Sequence, residues 1–162
     1  TGASAKYSAF AKAAKEQGFD QLARLWGATS AAEQIHINLE ASLVEAEDHS
    51  YTRPTAEAPT PEAIDLNLIA SANGEIFETS DMYPTFIKKA QEEGHAKAVK
   101  VFTRAKLAEA VHAEKYLEAY NNIDAADDDA YYLCPGCGYI HKGDDFEKCP
   151  ICGVPKAKFQ RF

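Results

Sequence analysis

The chain has 162 residues, a formal net charge of −8 and 46% hydrophobic residues, which suits one sizeable globular core. The acidic balance argues against a nucleic acid or an anionic membrane surface as partner. No apolar run reaches membrane-spanning length, Thr1 to Phe10 has no signal-peptide core, and the lack of an initiating Met reads as a processed or truncated product.

Four stretches read as helices. The first covers about residues 2–17, with Tyr7, Phe10 and Ala14 on one face and Gly18 as its stop. The second begins near Asp20, placed to cap it, and runs to about Glu47. Leu22, Leu25, Trp26, Ile35, Leu39, Leu43 and Val44 mark its expected buried stripe. The third is expected to start at Thr60, Pro61 and Glu62, a cap followed by proline, and to run to about Glu93. Its expected buried positions are Leu66, Ile69, Ile76, Phe77, Phe86 and Ile87, with a kink or bulge at Pro84. Gly94 separates it from the fourth, about residues 95–122.

Very short turns join the first helix to the second and the third to the fourth, so each pair reads as an antiparallel hairpin. Between the pairs lies a long segment, about residues 48–61, with prolines 54, 59 and 61. One long connection between two hairpins is the overhand crossover of a ferritin-like four-helix bundle. The expected division is a bundle over 1–123, an acidic linker over 124–130 and a small module over 131–162.

That module holds every cysteine of the chain, in two copies of one turn: Cys134, Pro135, Gly136, Cys137, Gly138 and Cys149, Pro150, Ile151, Cys152, Gly153. Two C-x-x-C turns close a tetrahedral thiolate site for a metal. The competing reading, two disulfides in a secreted scaffold, fits the spacing poorly, and reduced thiols imply a cytoplasmic setting. The spacing leaves open a zinc ribbon or a rubredoxin-type iron site. At this size the module depends on its metal for stability.

The bundle has its own donors. Glu33 and His36, Glu75 and Glu78, and Glu109 and His112 each stand three residues apart, so each pair shares a helix face. Their neighbours in sequence are apolar: Ile35 and Leu39, Ile76 and Phe77, Leu107 and Val111. One such pair is ordinary chance among five His, or a surface ion pair, but three on three helices point to a dinuclear carboxylate site. That donor set suits non-haem iron or manganese. The template also wants a Glu from the first helix, where only Glu16 exists, at the far end. His49, His95 and His141 read as surface or loop residues, and Asp127 to Asp129 as solvated linker.

With these motifs on view, the chain resembles the rubrerythrins along its whole length, most specifically in residues 5–10, 65–69, 73–84, 101–109 and 139–143. The resemblance implies a di-iron bundle fused to a rubredoxin-like domain. Its implied di-iron ligands are Glu33, His36, Glu75, Glu78, Glu109 and His112, with Glu75 and Glu109 bridging. One iron is implied to move between Glu78 and His36 on redox change. Tyr7 and Tyr83 correspond to tyrosines that hydrogen-bond the iron carboxylates. A further Glu ligand would stand immediately before Thr1. Iron is implied over zinc for Cys134, Cys137, Cys149 and Cys152, and a head-to-tail homodimer would bring this module near the partner's di-iron site.

The implied activity is reduction of hydrogen peroxide to water in oxidative-stress defence, with electrons passing from the four-cysteine iron to the di-iron centre. No G-x-G-x-x-G nucleotide motif occurs, so an external donor is expected, a rubredoxin or an NAD(P)H-linked reductase. Two other readings are an iron-oxidising, iron-handling protein without peroxide turnover, and a zinc ribbon on a helical interaction module.

Overall fold

A computed structural model describes residues 1–123 and 127–162 of the chain. Among these residues, α1 (Gly2–Glu16) and α2 (Asp20–Glu47) form one hairpin. The second hairpin sets α3 (Ile64–Phe77), a π-helical turn (Glu78–Met82) and α4 (Tyr83–Glu92) against α5 (Ala96–Asn121). The segment 48–63 crosses between the hairpins without regular structure. Gly18 (φ 83°) and Gly94 (φ 76°) make the two tight reversals in the left-handed region, where glycine meets no Cβ penalty.

Helix boundaries follow local chemistry. Asp20 is the first helical residue rather than the cap, and its carboxylate takes a 2.6 Å hydrogen bond from Lys15 across the turn. Thr60 and Pro61 do not open α3. Its N-cap is Ala63, and the buried Asn67 fixes the entry by donating to the Glu62 carbonyl (2.8 Å) and accepting from the Glu62 amide (3.0 Å). Pro84 sits in the first turn of α4, just after the π turn. A proline there lacks only an amide hydrogen that the change of register leaves spare.

The core of the bundle is aromatic at one end. Trp26 is fully buried between Phe10 and Tyr116, and its indole N–H donates to Ser71 Oγ at 2.9 Å. The expected stripe on the third helix is inverted. Ile64, Asn67, Leu68, Ser71, Ala72 and Glu75 are buried, while Leu66, Ile69, Ile76, Phe77 and Phe86 are exposed, Phe77 by 56%. Leu107 on α5 is likewise exposed. Ile76, Phe77 and Leu107 beside the Glu and His pairs therefore face outward, because their helices have turned the carboxylates inward, while Ile35, Leu39 and Val111 stay half-buried.

The module is a three-stranded antiparallel sheet in the order β2-β1-β3, from β1 (Tyr131–Leu133), β2 (Ile140–Lys142) and β3 (Gln160–Arg161). Tyr131, Leu133 and Ile140 belong to the same buried cluster as Leu22, Leu25 and Trp26, so the sheet is packed on α2. Part of the expected linker, 124–126, lies outside the described residues. Asp127 is not a solvated linker residue: Lys142 pairs with it, and Arg24 donates to its carbonyl at 3.2 Å. Burying a loop beside a sheet makes such pairing necessary.

Leu68→Ala is expected to cost about 2–5 kcal/mol, because Leu68 is fully buried. A urea unfolding curve of the metal-loaded protein measures this. A loss below about 0.5 kcal/mol would mean that the inverted stripe is misread.

Candidate metal centres

The four cysteine sulfurs converge. Cys134 Sγ lies 3.4 Å from Cys152 Sγ and Cys137 Sγ 3.5 Å from Cys149 Sγ, and all four lie within 4.8 Å of one another. No disulfide links them. A tetrahedral site with metal–sulfur bonds of about 2.3 Å puts its sulfurs roughly 3.8 Å apart, close to this spacing. The two knuckles repeat one backbone pattern. The Gly138 amide donates to the Cys134 carbonyl (3.1 Å) and the Gly153 amide to that of Cys149 (3.0 Å), both glycines with φ near 80°. Gly136 is required too, since a Cβ there would stand 2.9 Å from Val154 and 3.1 Å from Cys152 Sγ. A hydrogen bond with the Cys137 thiol pushes Cys134 down to about 5. The same hydrogen bond pushes the Cys137 thiol up and burial pushes Cys149 up to about 11, so the thiols share protons that a bound metal would displace.

In the bundle, Glu33, His36 and Glu109 form one cluster and Glu75, Glu109 and His112 another, with Glu109 common to both. Glu109 Oε1 lies 2.6 Å from His36 Nδ1 and Oε2 lies 2.6 Å from His112 Nδ1. Glu33, Glu75 and Glu78 also converge on Glu109. These approaches are short but not aligned as hydrogen bonds. Glu33 Oε1, His36 Nδ1, Glu75 Oε2, both Glu109 oxygens and His112 Nδ1 are buried without a hydrogen-bond partner among the described residues. Left so, each would carry a desolvation cost of about 1–3 kcal/mol or more. Cations in their midst satisfy them, and the four charges of Glu33, Glu75, Glu78 and Glu109 match two divalent ions.

The electrostatics agree. Burial, with Glu109 adding repulsion, holds Glu33 and Glu75 well above the ordinary carboxylate range, and the same two causes push Glu78 up to about 7. Burial opposes a charge on His36, yet the Glu109 carboxylate beside it pushes the imidazole up to about 10. Glu109 itself is held low by His36 and His112 against the effect of burial. A site that draws protons this strongly in place of cations will release them when metal binds.

The outer nitrogens of both imidazoles are occupied by the cysteine module. His36 Nε2 lies 3.0 Å from the Cys137 carbonyl and His112 Nε2 lies 2.9 Å from that of Gly138. A carbonyl only accepts, so each Nε2 carries the hydrogen and each Nδ1 keeps its lone pair for the donor cluster. Gly138 makes the approach possible: a Cβ there would fall 2.4 Å from His36 Nε2. Within one chain, the knuckle already rests on the chain's own pocket.

Tyr7 behaves as expected, donating to Glu75 Oε1 at 2.5 Å. Tyr83 does not bond one of the expected ligands. Its hydroxyl donates to Glu40 Oε1 at 2.8 Å. The π turn explains the placement. Its wider winding brings Tyr83, five residues after Glu78, onto the Glu78 face, and the Tyr83 amide donates to the Glu78 carbonyl. Glu40 escaped the sequence reading, although it stands one turn after His36 and two after Glu33. The knuckle carbonyls left no side-chain signal at all. His49 and His95 are exposed as expected, but His141 is not a plain surface residue. It bonds Asp145 (2.8 Å) and Tyr139 (3.1 Å) and packs on Phe146.

The fold and its donors define a class: a ferritin-like helical bundle with a dinuclear carboxylate–histidine site, joined to a four-thiolate module. Comparison with known proteins narrows this. The rubrerythrin family pattern matches residues 1–120, and the pattern described as "Rubrerythrin, rubredoxin-like domain" matches residues 132–160. The chain belongs to the rubrerythrin family. It is 67% identical to nigerythrin of Nitratidesulfovibrio vulgaris over 162 residues, all of this chain and 80% of that protein. Rubrerythrin of the same organism is 33% identical over 163 residues, covering 96% of this chain and 84% of its own length. A solved structure of nigerythrin in its fully reduced, all-ferrous state superposes with a TM-score of 0.98 at 67% identity, over all of this chain and 80% of that one. Family and donor sets together support two iron centres, a carboxylate di-iron site and a rubredoxin-like site on Cys134, Cys137, Cys149 and Cys152. No helix among the described residues is long and apolar enough to cross a membrane.

Gly138→Ala should lift the knuckle off His36, at roughly 1–3 kcal/mol of strain, while leaving all four cysteines in place. The expected outcome is an unchanged thiolate–iron spectrum with slower electron exchange between the two centres, read by stopped-flow absorption. Chelation of the thiolate metal should raise amide exchange across 131–162 and leave α1 protected.

Proposed function

We propose that this protein is a hydrogen peroxide reductase. The observation that most supports it is the pair of hydrogen bonds joining the Cys137–Gly138 knuckle to His36 and His112, which couple the two donor clusters directly. Loaded with iron, the dinuclear site supplies two electrons to the O–O bond of peroxide, and the four-cysteine iron replaces them singly.

The chain's residues have distinct parts in this reading. Glu109, reaching one imidazole with each oxygen, and Glu75 would be the donors shared between the two ions, with Glu33, Glu78, His36 and His112 as the donors to one ion each. Glu78, on the π turn and half-buried, and His36, on the opposite helix, would be the alternative donors to one ion in its two redox states. Tyr7 steadies Glu75 through its hydroxyl. Cys134, Cys137, Cys149 and Cys152 receive electrons from an external donor, a rubredoxin or an NAD(P)H-linked reductase, in the cytoplasm.

A homodimer accords with the exposed Leu66, Ile69, Ile76 and Phe77 on α3 and Leu107 and Leu117 on α5. Exposed apolar stripes of this extent mark interaction surfaces. Phe77→Asp is expected to shift the protein toward monomer in analytical ultracentrifugation without changing its iron content.

The decisive experiment is a visible spectrum with metal analysis of purified protein. Thiolate–iron bands should bleach on reduction and return on adding peroxide, with about three irons per chain. Replacing Cys134 with Ser should abolish electron entry while peroxide still oxidises the chemically reduced di-iron site. If peroxide leaves the reduced protein unchanged, the iron-handling reading takes over. A colourless protein holding one zinc would sink both.

A further inference from the structure

A cavity of about 230 Å³ lies beside the dinuclear donors, walled by Glu33, His36, Glu40, Glu78 and Tyr83 and by residues 1–3 at the start of the given sequence. Three of these are donors already described. Glu40 is the third carboxylate in the wall, and it belongs to none of the metal-ligating clusters among the described residues.

Its setting is specific. Tyr83, almost wholly buried, holds Glu40 Oε1 through a 2.8 Å hydrogen bond, and Glu40 forms part of the cavity wall. Tyr83 is itself fixed by the π turn and by rings of Phe86 and Phe102 at 6.3 and 6.2 Å. Burial raises the Glu40 carboxyl above its ordinary value, with the Tyr83 hydrogen bond opposing. A carboxyl that is half-buried, anchored on one oxygen and set in a cavity wall is well placed to carry protons.

Peroxide reduction needs such a carrier. Cleaving the O–O bond of one H₂O₂ takes two electrons, which the di-iron site supplies, and two protons, so that both oxygens leave as water. A carboxylate bound to metal is a poor proton donor; among the wall carboxylates Glu33 would hold an ion in both redox states and Glu78 in one, which leaves Glu40 as the one that stays free in both.

We propose that Glu40 is the proton carrier of the peroxide step and that Tyr83 positions it. Glu40 gives its carboxyl proton to an oxygen released by O–O cleavage, regains one from solvent and repeats this once per turnover. The inference rests on the peroxide-reductase reading and adds the proton path to it.

The test uses full-length, iron-loaded, fully reduced protein mixed with hydrogen peroxide in a single turnover, in H₂O and in D₂O. Glu40→Gln keeps an oxygen for Tyr83 to bond but carries no proton. It should slow reoxidation by roughly 10²-fold, with wild-type iron content and wild-type reduction of the four-cysteine centre. Glu40→Asp should restore part of the rate. Should Glu40→Gln fail to load iron, Tyr83→Phe decides from the opposite helix: loosened Glu40 should give a smaller slowing and an altered solvent isotope effect. A second readout needs no turnover. In zinc-loaded protein, a D₂O-sensitive protonated-carboxyl infrared band should appear at a pH above the range in which the exposed carboxylates titrate, and be missing from Glu40→Gln.

A Glu40→Gln protein that matches wild type in rate and isotope effect, or that retains the infrared band, would overturn the assignment to Glu40. A wild-type protein inert to peroxide would overturn the activity itself, a distinct result.

Discussion

Two hydrogen bonds, from His36 Nε2 to the Cys137 carbonyl and from His112 Nε2 to the Gly138 carbonyl, tie the metal-binding turn of one unit to the metal-binding pocket of the other. They fix the tautomer of both imidazoles, and with it the lone pairs available at Nδ1. They also fix where the sheet must sit, since the knuckle cannot reach both imidazoles from another orientation. The shared core of Tyr131, Leu133 and Ile140 with Leu25 and Trp26, and the Lys142–Asp127 pair, hold the sheet in that place.

The pocket these contacts close is costly to build. Glu33, Glu75, Glu109, His36 and His112 are all buried in a helical core, where unpaired carboxylates are strongly disfavoured. The bundle sets its donors near the middle of the helices, between the Trp26 cluster and the rings of Tyr83, Phe86 and Phe102. Cations therefore belong to the folded structure here, as they do in the thiolate module. Both units show the same logic at different scales: ligands first, burial second.

Much of this was legible in the sequence. The cysteine turns declared their geometry through Gly138 and Gly153, and the Glu–His spacings declared a common helix face. The reversals at Gly18 and Gly94 were equally plain. The burial stripe of α3 was not, because hydrophobicity was used to find the inside. At Leu66, Ile76 and Phe77 it marked the outside, since Asn67, Ser71 and Glu75 are drawn inward by hydrogen bonds and metal-site chemistry. Glu40 as the partner of Tyr83 was not legible either, because a count of 3.6 residues per turn does not survive the π turn between Glu78 and Tyr83. The contacts made by the knuckle are backbone contacts, and side-chain patterns carry no trace of them.

The π turn also sets a limit on how this protein can vary. Residues 78–82 hold one more residue than an α-helical turn would use, and that surplus is what aligns Glu78 with Tyr83 and sets the phase of α4. Substitutions on the outer side of the turn leave this phase alone. Loss of a single residue would let the segment relax into continuous α-helix, rotating one flank by about 100° against the other. The chain length between Glu78 and Tyr83 is therefore itself a structural element, as constrained as any side chain around it.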